Sequence, residues 1–346
     1  MNAEAIASPI PILVSVDWGT TSLRCALVAS DGTTLEQTKA ARGILHTNGQ
    51  SFAAILLDAI GPFEQRFTDG ESVPVLLSGM IGSRQGWHEA PYLRCPASPQ
   101  DLARSLLRVD TKQTPLAGCD VRIVPGMDVT EQAAPDALPD VMRGEETQVL
   151  GALIGAELQD GVFVLPGTHS KWVTVEAGTI VGFRTFMTGE VYAALLNATI
   201  LGQLAEGDEH DDDSYALGVR TAARLADRAG PGELLNMIFT ARSRVLHDEL
   251  KDTAVPSYLS GLLIGAEIAS GAGRSINTSR TSAGSAFTVC IIGDETLQKR
   301  YMQAASIMGG TINPAVDNPV AKAHLAIAGL AGMTAQRPIG EPNSAQ

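Results

Sequence analysis

Five residues between two apolar runs have the types that hold a phosphate: Asp17, Gly19, Thr20, Thr21 and Ser22, preceded by Val14-Ser15-Val16 and followed by Leu23-Arg24-Cys25-Ala26-Leu27-Val28. A β-branched run ending in an acid, a turn of small residues and a second apolar run predict a β-hairpin with the polar groups at its tip. There Gly19 allows close backbone approach, and the N–H groups and hydroxyls of Thr20, Thr21 and Ser22 can surround phosphate oxygens. Asp17 can hold a hydrated Mg²⁺ beside them. The plainer alternative is a surface turn whose Thr and Ser bind their own backbone while Asp17 starts the bend.

Three more sets invite chemistry. Pro166-Gly167-Thr168-His169-Ser170-Lys171 follows the apolar run 162–165 and repeats the strand, Gly-Thr turn, strand plan of the N-terminus. Gly144-Glu145-Glu146 precedes the apolar series Val149, Leu150, Leu153, Ile154, as a helix start with acids in its first turn does. The run 78–87, with Gly82, Ser83, Arg84 and Trp87, follows a short buried strand, where α/β proteins place ligand contacts.

The elements that must position these residues are expected as strands over 10–16, 23–29, 33–38, 73–77, 121–124, 161–165, 172–175, 179–183 and 287–292, with an edge strand over 308–312. Helices are expected over 51–60, 101–109, from about 145, and over 191–204, 215–227, 233–247, 256–270, 295–307 and 320–330. Loops are expected over 133–139 and 275–286, a solvated acidic loop over 206–213, and a frayed tail after 335.

A chain of 346 residues exceeds the size at which single cores stop growing, so two domains with a cleft between them are expected, with a boundary near 158/159. Lys plus Arg is 25 against 38 Asp plus Glu, and the net charge of -13 opposes nonspecific attraction to nucleic acid or an anionic membrane. The four cysteines form no C-x-x-C pair, which suggests neither a zinc site nor a disulfide framework and fits a reducing cytoplasm. Glu4 and the lack of an early basic residue argue against a signal peptide, and no run approaches the roughly 20 apolar residues of a membrane span. G-x-x-x-x-G-K-[ST], H-E-x-x-H and G-x-S-x-G do not occur, so a P-loop NTPase, a zincin and a standard serine hydrolase lose their main support.

Asp-x-Gly-Thr-Thr-Ser-x-Arg at 17–24 resembles the first phosphate loop of the sugar kinase, heat-shock protein 70 and actin superfamily, and Gly167–Lys171 supplies the second. With Ser-Gly-Met-Ile-Gly-Ser at 78–83, Met-Arg-Gly-Glu-Glu-Thr-Gln at 142–148, Leu-Pro-Gly-Thr-His-Ser-Lys-Trp at 165–172 and Phe-Met-Thr-Gly-Glu at 186–190, the chain resembles the 2-dehydro-3-deoxygalactonokinase family end to end. The resemblance implies an α/β, two-domain actin-like fold, ribonuclease H-like and duplicated, with a nucleotide cleft between the domains. It implies ATP-dependent phosphorylation of the C6 hydroxyl of 2-dehydro-3-deoxy-D-galactonate in galactonate or galactose breakdown, and a homodimer at the level of the family.

On that resemblance Asp17 organises Mg²⁺ through water, Gly19, Thr20, Thr21 and Ser22 meet the phosphates from one side, and Gly167, Thr168, His169, Ser170 and Lys171 meet them from the other. Gly293 and Asp294 lie on the nucleotide side, and the helix near Glu267 is a candidate wall of the adenine pocket. Glu145 is the favoured base. Glu146 is its rival, because the family pattern usually has Asp there and the spacing to Gly151 is one residue short. A planar guanidinium suits the substrate carboxylate, with Arg84 first, the Gly82 and Ser83 amides next, Arg184 and Arg143 between, and Arg24 last. Trp87 shields the sugar or serves a core, and Met127 and Thr188 line the acceptor side. A kinase of another small sugar or sugar acid, or an actin-like ATP-binding switch protein, are the alternatives. Sequence does not separate galactonate- from gluconate-derived acids.

Overall fold

Alternation organises the first strand. β1 (Pro11–Trp18) sends Val14, Val16 and Trp18 to one face, where they join Ala53, Ile55 and Leu56 of α1 (Phe52–Ile60) in one core. Successive side chains point to opposite faces, so Leu13 enters the other core. In the computed structural model residues 10–66, 73–130, 138–203, 210–224, 232–275, 287–314 and 319–334 are described.

β1, β2 (Leu23–Ala29) and β3 (Thr34–Ala40) form an antiparallel meander. β4 (Val75–Ser78), β5 (Leu93–Arg94), α2 (Pro99–Arg104), β6 (Leu107–Arg108), β7 (Val121–Ile123), β8 (Met127–Val129), β9 (Asp140–Met142) and α3 (Glu145–Gly155) follow. A second meander is built from β10 (Gly161–Leu165), β11 (Ser170–Glu176) and β12 (Thr179–Phe186). Four helices come next, α4 (Thr188–Ala198), α5 (Asp212–Ala223), α6 (Glu233–Leu246) and α7 (Val255–Ser275). β13 (Thr288–Ile291), α8 (Glu295–Ile307), β14 (Thr311–Pro314) and α9 (Pro319–Leu330) complete the series.

The described residues form two compact units, one within 1–159, 177–180 and 316–346, the other within 160–176 and 181–315. The first unit's large sheet has the order β3-β2-β1-β4-β7-β6 and the second unit's β12-β11-β10-β13-β14. In both, an antiparallel meander is extended beyond its first strand by two parallel strands, β4 and β7 in one and β13 and β14 in the other. This repeated order is the ribonuclease H-like duplication of the two-domain actin-like fold. A three-stranded sheet, β5-β8-β9, adds to the first unit.

In the first unit, Leu13, Val28 and Leu76 of the sheet pack on Leu150 of α3 and on Ala321, Ala323 and Ile327 of α9, so helices cover both faces. In the second, Val164, Trp172, Val289 and Ile291 pack on Tyr215 and Val219 of α5, Ile264 and Ile268 of α7 and Tyr301 of α8. Each such large aliphatic side chain contributes about 1.5–3 kcal/mol by leaving water.

Several elements differ from expectation. The helix expected over 101–109 is Pro99–Arg104, because Ser98 and Asp101 close a capping box at its start and Leu107 and Arg108 leave it to pair with Ile123 and Arg122. The helix expected over 191–204 begins at Thr188 and ends at Ala198. The edge strand begins at Thr311, since Gly309, with φ +80°, turns the chain after α8. Met127, expected to line the acceptor side, lies in β8 opposite Met142 and is fully buried. Residues 133–137, 206–209, 225–227, 276–286 and 335–346 of the segments expected as loop, helix end or tail lie outside the described residues.

Candidate active site

In the first unit the Gly19 N–H donates to the Ser22 carbonyl at 2.9 Å and closes the turn between β1 and β2. Ile44 and Leu45 N–H groups donate to the Gly19 and Thr20 carbonyls, at 3.0 and 3.3 Å, and hold the turn from behind. Thr20 and Thr21 are exposed, and among the described residues no side-chain hydrogen bond engages their hydroxyls. Asp17 Oδ2 lies 3.4 Å from Arg24 Nη1. Burial pushes the Asp17 carboxyl up, and Arg24 pulls against it.

Parallel pairing sets Ser78, at the end of β4, beside Asp17. Gly79 is the crossing point of the site: a Cβ there would lie 3.5 Å from Asp17 Oδ1, and a Cβ on Gly144 would lie 3.1 Å from the Gly79 Cα. Gly144 has φ +105°, a conformation that costs glycine little, and it turns the chain from β9 into α3. The phosphate-type turn and the acids of α3 are therefore brought to the same end of the sheet.

The two acids differ. Glu146 is 0% exposed; its Oε2 accepts from Gly144 N–H at 2.7 Å and its Oε1 from the Thr147 hydroxyl at 3.0 Å. Burial first, and the Glu145 charge second, push its carboxyl up to about 7. Glu145 is half-buried, and its Oε2 accepts from the Arg143 N–H at 2.9 Å.

The expected arginine is not in this cluster. Arg84 has an 87% exposed side chain and donates through Nε to Glu89 at 2.9 Å. Ser83 donates its hydroxyl to the Met80 carbonyl, and Trp87 is half-buried with its ring stacked on His88 at 5.8 Å. Arg143 instead is 9% exposed; Nη2 donates to the Ala90 carbonyl at 2.8 Å, the guanidinium lies 4.4 Å over the Tyr92 ring, and Nε and Nη1 have no partner. Nη1 abuts Gly82, where a Cβ would come within 2.9 Å. Arg184, in the second unit, is engaged with Ser270.

In the second unit Gly167–His169 joins β10 to β11, with Leu165 opposite Lys171. His169 Nε2 lies 2.5 Å from Glu190 Oε2, and Glu190 N–H donates to the Thr168 carbonyl at 3.0 Å. Lys171 is 6% exposed, and its ammonium has no acid within ion-pair distance among the described residues. Ser170 and Thr188 do not offer their hydroxyls outward, because both donate to the buried carboxylate of Glu267. Gly293 follows β13 beside Pro166, where a Cβ would lie 3.4 Å from the proline ring. Asp294 caps α8, accepting from Thr296 and Leu297 N–H groups at 2.9 and 3.4 Å. A pocket lined by Gly167, Thr188, Ile264, Leu297, Arg300 and Tyr301 opens beside the turn.

The model of the 2-keto-3-deoxy-galactonokinase family matches residues 17–332. The chain belongs to this family. It is 33% identical over 296 residues to the 2-dehydro-3-deoxygalactonokinase of Escherichia coli (strain K12), covering 86% of this chain and 90% of that relative. A Rhizobium meliloti (strain 1021) relative described as "Probable 2-dehydro-3-deoxygalactonokinase DgoK1" is 32% identical over 318 residues, covering 92% and 96%. The crystal structure of a Sinorhizobium meliloti protein given the same kinase name superposes with a TM-score of 0.75 at 30% identity, covering 92% of this chain and 98% of that one.

For this member of the 2-keto-3-deoxy-galactonokinase family, the sequence places Arg143 only between the Gly82 and Ser83 amides and Arg24, and gives Ser78 and Glu190 no role of their own. The signal for Arg143 was its place directly before Gly144-Glu145. Ser78 and Glu190 stand within the 78–83 and 186–190 motifs, but their contacts, with Asp17 and with Thr168 and His169, lie far away in the chain. Among the described residues no helix is long and apolar enough to cross a membrane, and no three His, Cys, Asp or Glu side chains converge as a metal site.

Proposed function

We propose that the chain transfers the γ-phosphoryl group of ATP to the C6 hydroxyl of 2-dehydro-3-deoxy-D-galactonate, as a cytoplasmic enzyme of galactonate and galactose breakdown. One observation carries the reading: around Gly79 the Asp17 turn meets the helix that starts Gly144-Glu145-Glu146. Phosphoryl transfer demands positioning and charge neutralisation around a loose transition state, with help for the attacking hydroxyl.

Thr20 and Thr21 present unengaged hydroxyls to the phosphates, with Gly19 and Ser22 shaping the turn. From the second turn, Gly167 supplies its backbone N–H, Thr168 its N–H and its exposed hydroxyl, and Lys171, largely buried along its stem, a cationic head for the phosphates. Gly293 gives the nucleoside close backbone access, and Asp294 acts by capping α8. Mg²⁺ supplies neutralisation of the β- and γ-phosphate charge when bound. The donor set suits it, because Mg²⁺ keeps its waters and takes one or two carboxylates besides the phosphates, and Asp17 is such a carboxylate.

Glu145 is the residue that receives the C6 hydroxyl proton, since a base must come within hydrogen-bond reach and half-buried Glu145 keeps part of its surface accessible while Glu146 has none. Its place at the N-terminus of α3 suits a hydrogen-bond acceptor for a hydroxyl that loses its proton late. Arg143 replaces Arg84 as the partner of the substrate carboxylate, because two of its buried nitrogens lack acceptors whereas Arg84 is satisfied at the surface.

Coupled ADP release tests the reading. Turnover should require 2-dehydro-3-deoxygalactonate, and other 2-keto-3-deoxy acids and neutral sugars should be poorer acceptors. Equal ATP consumption without any acceptor would overturn it in favour of an ATP-driven switch, and preference for a neutral sugar would overturn the assignment of the acid.

A further inference from the structure

A carboxylate that the proposed chemistry does not use lies behind the second turn. Glu267, on α7, is 2% exposed. Its Oε1 accepts from Ser170 Oγ at 2.6 Å and from Trp172 Nε1 at 2.7 Å. Its Oε2 accepts from Tyr301 Oη at 2.8 Å and from the Thr188 hydroxyl. Donors from β11, the start of α4 and α8 thus end on one side chain, and all four are neutral groups.

These donors bracket the turn. Ser170 ends it, and Thr188 opens the helix whose next two residues are packed on it. A Cβ on Gly189 would come within 2.5 Å of the Gly167 carbonyl oxygen, and Glu190 N–H donates to the Thr168 carbonyl at 3.0 Å. Burial pushes the Glu267 carboxyl up and the four hydrogen bonds pull it back, and leaving any of these buried donors unpaired is costly. The shape of residues 167–170 is therefore fixed from inside by α7, and not by local turn chemistry alone.

We infer that Glu267 is a positioning residue for nucleotide binding, holding the Gly167–Ser170 turn and the start of α4 in the arrangement that receives the ATP phosphates. The inference rests on the reading that this turn meets the phosphates, and it assigns Glu267 no contact with substrate.

Glu267→Gln is the probe, because the shape is kept and the hydroxyls of Thr188 and Tyr301 can turn to accept from the new amide while Trp172 still donates to the remaining oxygen. The KM for ATP should rise about five- to tenfold, with the KM for the sugar acid within about twofold of wild type. A folded Glu267→Gln protein with an unchanged KM for ATP, or with both KM values raised equally, overturns the inference. Thr168→Val in the same assay separates the two levels. If it raises the KM for ATP while Glu267→Gln does not, the inference alone fails; if it too leaves that KM unchanged, the reading of the turn fails and takes the inference with it. Should Glu267→Gln not fold, Tyr301→Phe removes one donor with little change of shape. A selective rise of about two- to threefold in the KM for ATP then supports the inference, and no rise overturns it.

Discussion

Glu145 and Glu146 are neighbours in sequence with opposite surroundings, and this separates their expected roles. Glu145→Gln removes the acceptor for the hydroxyl proton and should lower kcat by about a hundredfold or more with little change in either KM. Near-normal kcat in that variant would exclude Glu145 as the base. Glu146→Gln should be read first by stability. The unfolded chain releases the Glu146 proton near the ordinary carboxyl value of 4.5, whereas the folded chain holds it to about 7. The folded state binds more protons in between, so this group's contribution to stability falls as pH rises from 4.5 to 7 and stays low above. Glutamine does not titrate and can keep the Gly144 and Thr147 partners. The variant should therefore gain stability relative to wild type by about 2–3 kcal/mol more at pH 8 than at pH 5 in urea unfolding. A difference independent of pH would show that the buried carboxyl is not destabilised by its charge.

The two acids are aimed by α3, whose rear face lies against α9. A Cβ on Gly151 would fall 1.7 Å from the Pro319 carbonyl oxygen, backbone that has no rotamer to yield. Gly151→Ala must push the helices apart. It should cost about 1–3 kcal/mol, read as a lower urea midpoint, and should lower kcat because the start of α3 tilts with the rest. Full activity with wild-type stability would mean that α3 is not held by this contact. At this scale the meanders were legible, since alternation and turn chemistry are local: Asp31-Gly32 and Ala177-Gly178 separate strands where expected. The strands Leu93–Arg94, Met127–Val129 and Asp140–Met142 were not, because two or three residues carry no period and their pairing is decided by distant partners. The same reason hid part of the site. Thr20, Thr21 and the Gly167–Thr168 pair announce themselves by residue type, but Ser170 reads as a phosphate ligand until its partner, 97 positions away, is seen. Arg84 read as an anion clamp because its loop is rich in glycine, and nothing local reveals that Glu89 already holds it.

At the scale of the molecule, the chain closes its first unit last. α9 packs on β1, near the other end of the sequence, and buries Ala321, Ala323 and Ile327 against Leu13 and Leu76. Between these apolar residues His324 is 0% exposed, with Nδ1 2.8 Å from the Ser15 hydroxyl and Nε2 without a partner. Burial pushes its imidazole down to about 3 from the ordinary 6.5, so the folded unit keeps it neutral where the unfolded chain takes up a proton. The unfolded state then binds more protons, and the stability that depends on this seam is full above 6.5 and is lost as pH falls towards 3. His324→Gln, which keeps an oxygen for Ser15 and does not titrate, should abolish that loss. Between pH 7 and pH 5 its stability should improve relative to wild type by about 2 kcal/mol, with the change read by hydrogen exchange in β1 and α9 rather than in the second unit's sheet. Equal acid sensitivity in both proteins would mean that the seam between the first strand and the last helix admits water, and that the two ends of the chain are held less firmly than their apolar contacts imply.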